Sequence, residues 1–183
     1  LSLSQHKKKA RAEGADIVFE DEASFRQDAT LHQTGSLRGY QPLIPVTGAR
    51  KSVKVFGAVS LQKAKFFYRR EPVFNAETYL GFLEQMAQTC RDSRTHRIHL
   101  IQDNASYHKD KDVWGWFQEN RSWLEVHQLP AYSPEFNATE RLWHHTRITG
   151  THNRYFATEG ELLETLTSVF EGMQKNPDQI KGY

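Results

Sequence analysis

One stretch, Arg-Ile-His-Leu-Ile-Gln-Asp-Asn-Ala-Ser-Tyr-His from Arg97 to His108, does most to limit what this chain can become. Ile98, Leu100 and Ile101 form a short apolar run bounded by charge, the pattern of a buried strand. It delivers two polar side chains, Asp103 and Asn104, to the point where a central strand leaves its sheet. In open α/β sheets the strand ends are where ligands bind. A carboxylate there is costly to bury unless it faces positive charge, and a metal ion is the simplest source of that charge.

The chain has 183 residues, enough for one domain with a sizeable core and too few for two. Its single cysteine, Cys90, excludes an internal disulfide framework and a cysteine-rich zinc site, and fits a reducing, cytoplasmic compartment. No window approaches the roughly 20 apolar residues that span a bilayer, and no apolar leader follows Leu1. Because the chain begins at Leu1 without a methionine, a fragment is expected. A net charge of +2 says little about nucleic acid, but its distribution says more. Lys7, Lys8, Lys9, Arg11, Arg50, Lys51, Lys54, Lys63, Lys65, Arg69 and Arg70 gather positive charge in the first 70 residues, as a solvated face or as one that binds phosphate.

Residues 1–14 are polar and basic and read as a tail or linker helix, with one domain over 15–183. Residues 15–21 read as a strand that stops at its acids. Between 26 and 50, Gly35, Gly39, Pro42, Pro45 and Gly48 favour turns and short strands over helix. Val53 to Leu61 alternate like a strand with one buried face, and Lys65 to Arg70 suit its hairpin partner. Asn75 caps a helix on which Tyr79, Leu80, Leu83, Met86 and Ala87 recur at helical spacing. After the strand at 97–103 come a helix from Asp110 to Asn120, a strand from Leu124 to Leu129 and a turn into a helix around Glu140. Thr158 and Glu161 then form a capping box before a final amphipathic helix. This order predicts an α/β fold, a mixed central sheet with helices on both faces, and its connectivity resembles the ribonuclease H-like (retroviral-integrase-like) fold.

Three acids stand out by position: Asp21 closing the first strand, Asp103 closing the central one, and Glu140 in the first turn of a helix. If the two strands are neighbours, their ends bring Asp21 and Asp103 together and the helix adds Glu140. Converging carboxylates suit a pair of hard divalent ions about 3.5–4 Å apart, acting on a phosphate. Each acid also has an ordinary reading. Asp21 could begin a turn, with Asp16 or Glu22 taking its place in a site. Asp103-Asn104 could start an Asx-turn, and Glu140 could be the capping partner of Asn137.

Phe19-Glu20-Asp21-Glu22-Ala23-Ser24-Phe25 resembles the first acidic motif of mariner-like DDE transposases of the bacterial insertion-sequence branch. Asp103-Asn104-Ala105 with His108 resembles the second. Leu129-Pro130-Ala131-Tyr132-Ser133-Pro134-Glu135-Phe136-Asn137 with Glu140 and Trp143 resembles the third, the most specific. Phe56-Gly57-Ala58-Val59 resembles the strand that precedes the family's first helix, and 36 residues stand between Asp103 and Glu140, close to the family's spacing. Ala138 replaces the proline common in the family, and no tryptophan stands near Thr34-Gly35-Ser36.

The resemblance implies a catalytic domain in which Asp21, Asp103 and Glu140 hold two Mg²⁺ ions, with Mn²⁺ able to substitute. It implies hydrolysis at transposon ends, strand transfer of the freed 3′-hydroxyl into target DNA, double-stranded DNA as partner and a homodimer in the active complex. A cytoplasmic, nucleoid-associated location follows. The family's helix-turn-helix units precede this domain and none precedes Leu1, so end recognition is expected to be missing from the chain as given. Two alternatives stay open: a purely hydrolytic nuclease of the same fold, and a non-catalytic DNA-binding or assembly module derived from a transposase. Asn104 and His108 are supporting candidates, and Lys51, Lys54, Arg141 and Arg147 are candidates for DNA-backbone contacts. His144, His145 and His152 read as surface histidines, and the four tryptophans as packing residues.

Overall fold

The computed structural model describes residues 3–181 except 29, 41, 47, 49, 61, 91–96 and 131–136. The turn at 131–136, the centre of the third motif, therefore lies outside the described residues.

Alternating apolar residues build five strands, β1 (Asp16–Arg26), β2 (Ser52–Ser60), β3 (Lys65–Glu71), β4 (Ile98–Gln102) and β5 (Leu124–Gln128), in the spatial order β3-β2-β1-β4-β5. β1, β2 and β3 pair antiparallel, and β4 and β5 run parallel to β1. The sheet is mixed, as the connection lengths predict. Among the described residues, six α-helices join or cover it: α1 (Leu3–Glu13), α2 (Ala76–Cys90), α3 (Lys111–Asn120), α4 (Ala138–Thr146), α5 (Glu159–Lys175) and α6 (Pro177–Lys181). None is long and apolar enough to cross a membrane.

The period of two along β1 assigns the faces. Ile17, Phe19, Ala23 and Phe25 join Leu142 and Trp143 of α4 and Leu162, Leu166, Phe170 and Met173 of α5 in one apolar cluster. Val18 turns the other way, joining Leu100 of β4, Tyr79, Phe82, Leu83 and Met86 of α2 and Val113 and Phe117 of α3. Ala10 of α1 is buried in the first cluster, and Lys9 of the same helix bonds Glu125 of β5. The caps are the expected ones. Asn75 accepts from Thr78 N at 2.9 Å, Asp110 from Asp112 N at 2.8 Å and Thr158 from Glu161 N at 3.2 Å.

Two expectations need correction. β1 does not stop at its acids: it continues to Arg26, because β2 keeps pairing with it as far as Arg26↔Ser52. β4, by contrast, ends at Gln102, so Asp21 sits inside a strand that has lost one of its two neighbours. Second, the described residues between 27 and 50 form no strand beyond a single bridge, Thr30↔His152. Leu31, Leu37, Tyr40, Leu43 and Val46 there are exposed, so no buried face exists to organise strands.

Candidate active site

Register and helix anchoring bring Glu140 and, less closely, Asp103 near enough for their charges to act on Asp21. β1 and β4 pair up to Phe19↔Ile101; two residues on, Asp21 is still in β1, on the face it shares with Phe19 and that α4 covers, while Asp103 stands just past the end of β4. The start of α4 is tied to the backbone of β1 on either side of a peptide unit. Asn137 Nδ2 donates to the Glu20 carbonyl at 2.8 Å, while its Oδ1 accepts from Thr139 N at 3.1 Å and caps the helix. Thr139 Oγ1 donates to the Phe19 carbonyl at 2.8 Å. These bonds set the first turn of α4, and with it Glu140, beside Asp21.

The electrostatics record the crowding. Burial, then the charges of Glu140 and Glu22 and, more weakly, Asp103, push the Asp21 pKa up to about 8. Trp143, one turn along α4 from Glu140, donates its indole N–H to Asp21 Oδ2 at 3.1 Å. Its ring packs edge-on against Phe25, Phe66 and Phe170. The ring fits because Gly57, opposite Asp21 on β2, has no side chain; a Cβ there would fall 2.5 Å from Trp143 Cζ2. Trp143 is thus a packing residue, as expected, and also a hydrogen-bond donor to an acid, which its spacing did not reveal.

Asp103 leaves β4 in the expected Asx-turn, Oδ1 accepting from Ala105 N at 2.8 Å. The same oxygen lies 3.1 Å from His108 Nδ1, and these bonds hold the Asp103 pKa below its usual range against partial burial. Burial pulls His108 down, but the carboxylates of Asp103 and Glu22 outweigh it and push the imidazole up to about 10. Asn104 donates to the Leu129 carbonyl, fixing the turn to the end of β5.

The two substitutes for Asp21 lie elsewhere. Asp16 is buried at the opposite end of β1, bonded by Ser60 Oγ, with Lys63 3.8 Å away. Glu22 points to the α2 face, where the Tyr107 hydroxyl donates to it. Of the basic candidates, Lys51 lies 3.5 Å from Glu159, Arg147 stacks over Phe25 at 5.6 Å, Arg141 is exposed and Lys54 is half-buried on β2. His152 stacks on His32. Asn137 was legible as a cap but not as a strut to β1, and Thr139 had no signal at all. A threonine bonded to a carbonyl 120 residues away leaves no local pattern.

A mixed five-stranded sheet with carboxylates from β1, the end of β4 and the start of α4 is the arrangement of a ribonuclease H-like metal-dependent endonuclease. The sequence profile of the DDE superfamily endonucleases matches residues 16–163, and the chain belongs to that family. The IS630 insertion element's uncharacterized 39 kDa protein from Shigella sonnei is 26% identical over 161 residues, covering 88% of this chain and 46% of the relative. The chain thus spans about half the length of that relative. Among solved structures, the pre-cleavage Mos1 transpososome superposes with a TM-score of 0.67 at 17% identity over 98% of this chain and 57% of the other. The Mos1 mariner paired end complex with Mn gives 0.66 at 20% identity, covering 98% and 57%. The catalytic domain of Mos1 mariner transposase gives 0.61 at 18% identity, covering 98% and 84%. These likenesses define the fold.

Proposed function

We propose that this chain is the catalytic domain of a DNA transposase that nicks transposon ends and joins the freed 3′-hydroxyl to target DNA. The observation that carries the reading is a buried Asp21 beside the start of α4, its pKa raised to about 8 by burial and by crowding from Glu140, Glu22 and, more weakly, Asp103. Packing does not explain such a gathering, because like charges with no cation among them raise the energy of the fold. The donors are all carboxylate oxygens, the set that magnesium and manganese prefer, so the residues fit a divalent-metal pair held by Asp21, Asp103 and Glu140. Two such ions, when bound, supply the charge that favours attack on a phosphate and departure of the opposite oxygen.

The protein's part is to hold and orient. Trp143 and the Asn137–Thr139 anchor fix Asp21 and Glu140, while Ala105 and His108 fix Asp103. Lys54, Arg141 and Arg147 are the candidates to meet the duplex backbone, with Lys51 beside them. Double-stranded DNA as partner, a second copy of the chain in the active complex and a nucleoid location belong to the same proposal.

A nicking and strand-transfer assay on a transposon-end duplex tests it. Wild type with Mg²⁺ or Mn²⁺ is expected to nick and, from a pre-cleaved 3′ end, to join; Asp103→Asn and Glu140→Ala are expected to fold and do neither. Nicking without joining would make the chain a plain nuclease. Activity surviving in either variant would remove that acid from the site.

A further inference from the structure

The face of β1 turned away from Asp21 carries a second cluster. Glu20 is fully buried, and neither of its oxygens has a hydrogen-bond partner among the described residues. His108, also fully buried, brings Nε2 to 3.7 Å from Glu20 Oε2 and 3.1 Å from Glu22 Oε1, in neither case aligned as a hydrogen bond. One donor atom from each of the three residues lies within 4.8 Å of the others. On β4, buried Gln102 accepts from the Tyr79 hydroxyl, yet its Nε2 has no acceptor. Most of the unpartnered buried side-chain atoms of the described residues are therefore gathered on this one side of the sheet.

A proton on His108 Nε2 answers Glu22 and leaves Glu20 bare. A divalent cation answers all three residues: its two charges match the two carboxylates, and it takes lone pairs from oxygen and from the ring nitrogen. Glu20, Glu22 and His108 each offer one donor atom to such an ion, and carboxylate and imidazole are both zinc ligands. The remaining ring nitrogen, Nδ1, lies 3.1 Å from Asp103 Oδ1. A metal-bound histidine commonly gives its other N–H to a carboxylate in this way.

We propose that Glu20, Glu22 and His108 form a buried, structural divalent-metal site of the zinc type, behind the strand that carries Asp21. It binds its ion as the chain folds and braces Asp103 through His108. It lies on the opposite face of β1 from Asp21 and does not rest on the transposase reading, although His108 links it to Asp103.

The test uses the whole chain and an Asp21→Asn/Glu140→Gln variant, in which the facing site is disabled. Each is folded with Zn²⁺, dialysed against EDTA and analysed for metal by mass spectrometry; a parallel preparation with Co²⁺ is read by visible absorption. About one equivalent of zinc per chain and low-symmetry cobalt bands are expected in both proteins. Glu20→Gln, with its fold checked by circular dichroism, is expected to lose both signals, and Glu22→Gln serves if Glu20→Gln does not fold. Folded wild type without retained zinc or cobalt bands overturns the proposal, as does undiminished metal in a folded Glu20→Gln or Glu22→Gln.

Discussion

Trp143 donates its indole N–H to Asp21 Oδ2 at 3.1 Å, so the same ring that fills the space above Gly57 also holds a candidate catalytic acid. Replacing Trp143 with Phe removes the donor and leaves a buried acceptor short of a partner, at a cost of about 1–3 kcal/mol. Gly57→Ala acts on the same contact from below by forcing the ring off Asp21, and overpacking of that kind costs about 1–3 kcal/mol. Urea unfolding measures both. Each variant is also expected to lose nicking activity, since Asp21 loses its fixed orientation; a destabilised variant with full activity would separate the ring from the site.

The stability of the metal-free chain depends on pH with a definite sign. Asp21 has a folded pKa of about 8 against an ordinary value of 3.8, so the folded state holds its proton more tightly than the unfolded state. Stability is then fully present below about pH 4 for this group and is lost as pH rises towards 8. Glu20, raised by burial, acts in the same sense, and His108, raised to about 10, continues the loss above its ordinary 6.5. Asp103 and Glu125, both lowered, act oppositely, but only in acid. For chain folded without zinc and held in EDTA, the melting temperature is therefore expected to fall between pH 5.5 and 8.5, and Mg²⁺ is expected to raise it more at pH 8.5, where it no longer competes with a proton. Scanning fluorimetry across that range checks the sign; a rising melting temperature in EDTA would contradict it.

Asn137 both caps α4 and ties it to the Glu20 carbonyl. Asn137→Ala is expected to cost about 1–2 kcal/mol. Because Glu140 then loses its fixed distance from Asp21, nicking is expected to drop in kcat while KM for the duplex changes little. Thr139→Val, which cuts the bond to Phe19, is expected to move the same two quantities in the same way. A change confined to KM would place these residues in DNA binding instead.

The basic residues predict a salt dependence. If Lys54, Arg141 and Arg147 neutralise phosphates, each alanine variant is expected to reduce the slope of log K against log salt by roughly one. Lys51, 3.5 Å from Glu159, is expected to change it less. Binding isotherms at several salt concentrations resolve the slopes. Unchanged slopes would assign these residues to the solvated surface.

What could be read from the residues was what local pattern controls. The strand expected at 97–103 is β4 at Ile98–Gln102, and the helices begun by Asn75, Asp110 and Thr158 start where those caps stand. β1 was cut short because charge ordinarily ends a strand, whereas Glu20 and Asp21 are buried within it. The three acids are proposed from their motifs. Their supports were not legible, since Trp143 to Asp21, Thr139 to Phe19 and His108 to Glu22 are contacts across long loops, fixed by packing and invisible to periodicity.

The pleat of β1 makes Asp21 a neighbour of Glu140 while Glu20 and Glu22 look towards His108. A single residue inserted between Val18 and Phe19 would exchange these aspects at a stroke, turning the lone aspartate towards α2 and two glutamates towards α4. Such a chain would keep every acid of the motif in its written order and still set different ones beside Glu140. In this protein, therefore, the parity of a strand decides which acid stands beside Glu140.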